Sequence, residues 1–251
     1  MFPYRDENDT QRAAVVTGLI IALNLFVWVF VQGAGFSDRT VAASVCNYGL
    51  IPGELTGTLP VGTAFPLGHG LVCLTDPGRE PQHILSSMFM HGGWLHLLGN
   101  MWFLWLFGNN IEDSMTRPRF VVFYLLCGLA AAMAQVIADP SSRVPMVGAS
   151  GAISGVMGAY LILFPRVKVY TLVPIFIFIT SIALPAWVML LYWFVLQVLG
   201  EATRMETGGV AFWAHIGGFV AGILLIKVFV RHDRLDAHRA GHWEPDRVGW
   251  K

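Results

Sequence analysis

Long apolar runs separated by short charged breaks dominate the chain. The run Ala13–Val31 holds 19 residues without a charge. As a helix it extends about 29 Å, close to the thickness of a bilayer hydrocarbon core. Five further runs have helical length: about Ser87–Ile111, Phe120–Ala138 between Pro118 and Pro140, Ala149–Phe164 ended by Pro165, Pro185–Leu199, and Val210–Val230. Proline at these borders fits, because it is accepted in a first helical turn and interrupts a helix interior. The stretch Val169–Ala183 is apolar, β-branched and aromatic, with Pro174 inside it. It is short and has no charged break before Pro185, so it reads as a buried or interfacial connection rather than a seventh crossing. The pattern predicts an all-α membrane protein, a bundle of six transmembrane helices.

Composition sharpens this picture. The chain is 55% hydrophobic and 13% charged, against about 25% charged in a soluble domain. Sixteen Lys and Arg balance sixteen Asp and Glu. That balance gives neither the basic surface of a nucleic-acid binder nor an acidic solvating tail. With six spans both termini share one side. Arg5, Arg12, Arg117, Arg119, Arg166, Lys168, Lys227, Arg231, Arg234, Arg239, Arg247 and Lys251 fall there, 12 of the 16 cations. Arg39, Arg79, Arg143 and Arg204 fall opposite. The excess places both termini in the cytoplasm, and a seventh span would divide the charges less cleanly. The expected organisation is a cytoplasmic arm at 1–12, a six-helix membrane domain at 13–231 with a long external loop at 32–86, and a cytoplasmic tail at 232–251.

The external loop is rich in Gly, Pro and Thr, and Val61–Leu74 suits a membrane interface. Cys46 and Cys73 share this loop. They form a disulfide if it faces an oxidising compartment, or stay two thiols. Cys127 lies in an apolar run and reads as a small packing residue. The first run is longer than the core of a secretory signal peptide, and an Arg-rich, acid-poor leader is lacking. The expectation is therefore a multi-pass protein of a bacterial inner (plasma) membrane, with no soluble catalytic domain attached. No internal repeat suggests a transporter of duplicated halves, and nothing in the sequence bears on oligomeric state.

Polar groups inside a membrane are costly, and three places hold them. The first is Gly148-Ala149-Ser150-Gly151, continuing through Ser154, Gly155 and Gly158. Small residues four apart let membrane helices approach closely, which alone would account for the glycines. Ser150, however, begins a span of about 16 residues, where backbone N–H groups lack intrahelical partners. Those groups are ready donors for a developing oxyanion, and so short a span lets its start sit below the outer surface. The second place is Ala214-His215-Ile216-Gly217-Gly218, with Gly222 four residues on. In a glycine-lined contact, His215 can take the proton of Ser150 as a general base. No acidic residue shares its span, so the arrangement is a dyad rather than a triad. The third is His91 through Asn100. His96 and Asn100 are four apart and share a helix face, where both can donate to an oxyanion together with the Ser150 N–H. His91, nearer the helix start, reads as structural. Metal binding is the competing reading of these histidines, but no HExxH-like spacing occurs, and neither a metal nor another cofactor is implied.

At these residues the chain resembles the rhomboid family of intramembrane serine proteases. The matching pieces are Gly148-Ala149-Ser150-Gly151, Ala214-His215 with Gly218 and Gly222, His91 with His96 and Asn100, and Gly108 with Glu112. They occur in family order over about Gln82–Val230. The resemblance implies a rhomboid-like six-helix fold in which Ser150 attacks the scissile carbonyl and His215 serves as base and then acid. His96, Asn100 and the Ser150 N–H would form the oxyanion site, with Gly148, Gly151, Gly218, Gly222 and His91 structural around it. It implies single-span transmembrane proteins as substrates, cleaved in or beside the bilayer. The Trp-Arg pair that some members carry in the external loop has no counterpart. Ser154 stands where some carry a tyrosine packed on the catalytic histidine. Two rival readings remain: an inactive relative that binds client membrane proteins, and a small channel or transporter lined by Ser150, His96 and His215.

Overall fold

A computed structural model of the chain describes residues 1–68, 70–76, 78, 80–175, 178–202 and 211–241. Arg79, Arg204, Val210, Arg247 and Lys251, which belong to the charge count and the last expected span, lie outside the described residues, as does 242–251 of the expected tail. In chain order the elements are β1 (Phe2–Asp6), α1 (Val15–Phe30), α2 (Asp38–Tyr48), α3 (Pro52–Leu55), β2 (Ala64–Gly68), β3 (Leu71–Leu74), α4 (His83–Ser86), α5 (Trp94–Asp113), α6 (Arg117–Ala138), α7 (Ser150–Leu163), β4 (Lys168–Ile175), β5 (Phe178–Pro185), α8 (Ala186–Ala202), α9 (Phe212–Phe229) and α10 (His232–Gly241).

The helices α1, α5, α6, α7, α8 and α9 fall on the six apolar runs. By length and composition α6 and α9 can cross a membrane, and α1, α7 and α8 are shorter apolar helices. The 14 residues of α7 extend only about 21 Å, less than a hydrocarbon core. The start of α5 comes later than the sequence pattern suggests. Gly92 and Gly93 interrupt the run, and the preceding residues form α4 and a 3-10 turn at Ser87–Phe89. Apolar side chains fill the inside of the bundle, including Phe107, Phe123, Tyr124, Met157, Tyr160 and Phe219. They also cover much of its outside, with Leu19, Leu95, Trp105, Val195 and Leu224 exposed. Apolar residues on both faces are what lipid solvation allows.

Helices α7 and α9 touch backbone to backbone. A Cβ added at Gly222 would run into the Gly155 carbonyl, one at Gly218 into the Gly151 carbonyl, and one at Gly158 into the Phe219 carbonyl. Gly151, Gly155 and Gly158 therefore interlock with the Gly218–Gly222 face, the close approach that small residues permit in membranes.

The structure corrects the all-α expectation: β2 and β3 pair antiparallel within the loop between α1 and α5, and two further segments form strands. Val169–Ala183, read as a connection rather than a crossing, has strand structure. It lies in the β4–β5 hairpin, paired from Lys168↔Pro185 to Ile175↔Phe178. A continuous apolar run has no period that separates a strand from a buried helix, so the pattern alone does not decide between them. Pro174 fits because β1 pairs only as far as Leu172, so no ladder bond on that side is lost. The second segment lies within residues 1–12. There β1 pairs antiparallel with β4 in a sheet of order β1-β4-β5. Phe2 stacks on Trp102 at 5.8 Å, and Trp102 Nε1 donates to the Pro3 carbonyl at 2.8 Å. At the other end of β1, Asp6 accepts from Asn110 Nδ2 at 3.0 Å and Tyr160 Oη at 2.7 Å. The first residues thus run along α5 from Trp102 to Asn110.

The loop between α1 and α5 is ordered around the Cys46–Cys73 disulfide, with the Cα atoms 5.7 Å apart. The Leu50 N–H donates to the Met146 carbonyl at 3.0 Å, and the Met146 N–H to the Leu50 carbonyl at 2.7 Å. The Gly53 N–H bonds the Ser142 carbonyl at 3.0 Å, and Thr58 Oγ1 bonds the Pro140 carbonyl at 2.9 Å. The loop therefore clamps the segment that leads into Ser150.

At the opposite end a buried polar cluster ties four segments together. His238 Nδ1 and Asp113 Oδ2 are 2.8 Å apart, as are His238 Nε2 and Asn8 Oδ1. Asn8 Nδ2 donates to Tyr160 Oη at 3.2 Å. Glu112 accepts from the Val16 and Thr17 N–H groups at 2.9 and 2.8 Å and from Thr17 Oγ1 at 2.9 Å. Its charge thereby caps the start of α1.

The α7–α9 contact makes Gly222→Val costly. The variant should lose about 1–3 kcal/mol of stability or more, because its side chain must displace α7 backbone. A thermal melt in detergent reads this, and an unchanged melting temperature would show that the helices separate freely. The sheet end of the molecule should respond to pH. Burial raises the Asp6 carboxyl from 3.8 to about 6. A raised folded-state value favours the folded chain below the unfolded value, and the contribution is lost as pH rises through about 6. Asp6→Asn, which keeps an acceptor for Tyr160, should flatten the fall in melting temperature as pH rises from about 4 to about 6. An identical slope in the variant excludes Asp6 as the titrating group.

Candidate active site

Ser150 is the first residue of α7 and follows Gly148, whose φ of 117° is a conformation that L side chains rarely adopt. Glycine there lets the chain turn sharply into the helix. The first helical bond at this end is from the Ile153 N–H to the Ala149 carbonyl. The N–H groups of Ser150, Gly151 and Ala152 are therefore left without intrahelical acceptors. His215 lies in the first turn of α9, directly before the glycines that contact α7. The interlocked backbones bring Ser150 Oγ and His215 Nε2 to 2.8 Å.

The other ring nitrogen fixes the proton. His215 Nδ1 lies 2.8 Å from Gln197 Oε1, an amide oxygen that only accepts. Gln197 Nε2 in turn donates to the Trp193 carbonyl at 3.3 Å, which sets the orientation of the amide. Neutral His215 thus carries its proton on Nδ1 and presents a bare Nε2 to the serine hydroxyl. Trp193 also packs against the imidazole, with ring centroids 5.8 Å apart. This contact comes from α8, whereas Ser154 turns its hydroxyl to the Ser150 carbonyl at 2.6 Å. Gln197, which orients His215, is absent from the residues that the sequence singles out. Its signal is nonetheless present: Gln197 is the one amide in the apolar run Pro185–Leu199, and such a group needs a reason.

His96 and Asn100 converge on the same spot from α5. A Cβ built at Gly148 would lie 2.6 Å from His96 Nε2 and 3.3 Å from Asn100 Nδ2. The His96 Nδ1 accepts from the Gly92 N–H at 3.3 Å, so a neutral ring holds its proton on Nε2, facing Gly148. Asn100 Nδ2 is buried and has no hydrogen-bond partner among the described residues. Two side-chain donors thus lie against Gly148, two residues before Ser150. His91 is fully buried behind them, 5.2 Å from His96 ring to ring. Its backbone is held by Gln32, which accepts from the His91 N–H at 2.8 Å and donates to the His91 carbonyl at 2.7 Å. Gly151, Gly218 and Gly222 sit in the α7–α9 contact. Ser150, His215, His96, Asn100, His91 and Gly148 therefore lie in one cluster at one end of the bundle, whereas Gly108 and Glu112 face Thr17 toward the other end.

This is a helical membrane bundle with a serine–histidine pair at one end and donors aimed at the start of the serine helix. The chain belongs to the rhomboid family: the Rhomboid domain model matches residues 78–232, more than half of its length. Rhomboid protein 1, mitochondrial, of Saccharomyces cerevisiae is 29% identical over 168 residues, 64% of this chain and 46% of that protein. RHOMBOID-like protein 5 of Arabidopsis thaliana is 30% identical over 148 residues, 58% of this chain and 43% of that protein. Rhomboid protease GluP of Bacillus subtilis is 36% identical over 78 residues, 31% of this chain and 15% of that protein. The matches cover less than half the length of each of these relatives.

Gln197→Leu should slow the reaction of Ser150 with a fluorophosphonate probe by about tenfold, the rate equivalent of one neutral hydrogen bond. Gln197→Glu, which keeps an acceptor, should recover part of the rate. Equal rates in the leucine variant and the parent would remove Gln197 from the site.

Proposed function

We propose that the chain is an intramembrane serine endopeptidase that cleaves single-span transmembrane proteins in or beside the bilayer with a Ser150–His215 dyad. The 2.8 Å contact between Ser150 Oγ and His215 Nε2 carries this reading. Ser150 Oγ attacks the scissile carbonyl carbon while its proton passes to His215 Nε2. The tetrahedral oxyanion takes hydrogen bonds from His96 Nε2, Asn100 Nδ2 and the Ser150 N–H. Collapse breaks the C–N bond, and His215 returns the proton to the leaving amine. Water then attacks the acyl-enzyme, with His215 again as base. A substrate helix hides its carbonyls, so it must unwind locally, which glycine or proline in the substrate makes easier.

In this reading α1, α5, α6, α7, α8 and α9 are six crossings, and both termini are cytoplasmic. The 12:4 division of Lys and Arg supports that orientation, as does a disulfide in the loop on the Ser150 side. Among the relatives, proteins named as mitochondrial occur in yeast, Arabidopsis and zebrafish, beside those of Bacillus subtilis. The mitochondrial names weaken the assignment to a bacterial inner membrane. An inactive client-binding role fits less well, because both reactive side chains are present and in contact. A transport role leaves the convergence of His96 and Asn100 on Gly148 without a purpose.

Purified chain in detergent should label with a fluorophosphonate at Ser150 and cut a transmembrane substrate. Ser150→Ala should abolish both and His215→Ala should nearly do so, while Ser154→Ala should stay largely active. Asn100→Ala should lower the rate by roughly 10²–10³, the cost of one oxyanion donor. Cleavage that survives Ser150→Ala would falsify the mechanism.

A further inference from the structure

A cleft of about 400 Å³ opens at the end of the bundle opposite Ser150, lined by Arg12, Ala13, Glu112, Asp113, Thr116, Arg117, Pro118 and Arg234. Three guanidinium groups from three separate segments meet there: Arg12 before α1, Arg117 at the start of α6, and Arg234 on α10. Two carboxylates share the cleft, but both are already engaged. Glu112 is taken up by the backbone and hydroxyl donors at the start of α1. Asp113 Oδ2 accepts from the Gln11 N–H at 2.8 Å and contacts His238 Nδ1 at 2.8 Å, while its Oδ1 meets Arg12 Nη1 at 3.2 Å. The cations are less fully used. Arg234 gives one bond, to the Met115 carbonyl at 2.7 Å. Arg117 is exposed and makes no hydrogen bond or ion pair among the described residues. A guanidinium has five N–H donors in a planar fork that matches phosphate oxygens. The α6 start adds the N–H groups of Arg117 and Arg119, with no side-chain cap over them.

The surroundings say what kind of phosphate this is. Helices α1 and α6, which leave the cleft, carry exposed Val15, Leu19, Val121, Val122 and Leu125. A headgroup in the cleft would therefore have apolar surface beside it for its acyl chains. We propose that this cleft binds the phosphate of an anionic phospholipid, held by Arg12, Arg117 and Arg234. Occupancy would join the start of α1, the α5–α6 turn and α10, the segments that the Asp113 cluster already links. The site is independent of the chemistry at Ser150.

Native mass spectrometry of the full chain in detergent, titrated with phosphatidylglycerol or phosphatidylcholine, tests this. Phosphatidylglycerol should bind at least tenfold more tightly than phosphatidylcholine. Arg117→Gln and Arg234→Gln should each weaken phosphatidylglycerol binding about three- to tenfold and leave phosphatidylcholine unchanged. Arg117 makes no bond among the described residues, so its variant should keep the parent melting temperature. Lys227→Gln, which removes a cation near the same end but outside the cleft, should change neither affinity by more than twofold. Equal binding of the two lipids overturns the proposal, and so does an equal loss in Lys227→Gln, which would mean a diffuse basic belt. Inorganic phosphate that competes as well as phosphatidylglycerol itself also overturns it, assigning the cleft to free phosphate.

Discussion

The backbone contact between α7 and α9 is the constraint on which the site depends. Ser150 and His215 are 65 residues apart in sequence, and neither side chain is long. A serine hydroxyl reaches an imidazole on a neighbouring helix only if the two backbones nearly touch. Gly158 on α7 and Gly218 and Gly222 on α9 lack the Cβ atoms that would strike the opposing backbone, while Gly151 and Gly155 present the carbonyls that Gly218 and Gly222 meet. Side-chain interdigitation normally spaces helix axes at about 8–10 Å, and glycine faces let membrane helices come closer. Packing and chemistry are thus one feature: the residues that pack the helices also set the length of the reactive hydrogen bond.

The remaining parts hold this pair at a fixed height and orientation. The short α7 cannot fill a hydrocarbon core, so its start is set by what grips the chain before it. That grip is the loop between α1 and α5, through Leu50 on Met146, Gly53 on Ser142, and Thr58 on Pro140. The Gly148 N–H is bonded to the Ser87 carbonyl at 2.9 Å, which sets the turn into Ser150 against the segment leading to His96. Gln32, just past α1, holds the His91 backbone. The loop that looks least informative in the sequence therefore positions both Ser150 and the segment leading to His96.

What is legible in the sequence follows from period and cost. The helices show because a long apolar run in lipid must satisfy its own backbone, and a helix does so within one segment. Ser150, His96, Asn100 and His215 show because polar groups in such runs are expensive. The β4–β5 hairpin does not show, because Val, Ile, Thr and Phe in an unbroken run suit a strand as well as a buried helix. The role of Phe2–Asp6 is also hidden: its pairing partner lies more than 160 residues away, and no local pattern announces a strand completed at that distance. Gln197 is legible in principle. It breaks an apolar run just as His215 does, but an amide carries no reactive group, and the expected third member of a serine–histidine site is an acid.

That the third member is an amide is itself understandable. A carboxylate behind the histidine would stabilise the imidazolium formed during reaction, as in soluble serine proteases. It would also have to stay ionised on α8, an apolar helix with Trp187, Leu191, Val195 and Leu199 exposed. Burying an ion away from water costs several kcal/mol unless it is paired, and no cation among the described residues lies beside Gln197. The neutral Gln197 oxygen selects the tautomer and fixes the ring without that cost. It gives up only the extra attraction for imidazolium. With Trp193 packed on the ring and Gln197 bonded to its Nδ1, α8 sets the geometry of His215 while α9 supplies it. In the proposed mechanism the charge that develops is then left to the donors at His96, Asn100 and the Ser150 N–H, which bury no charge of their own.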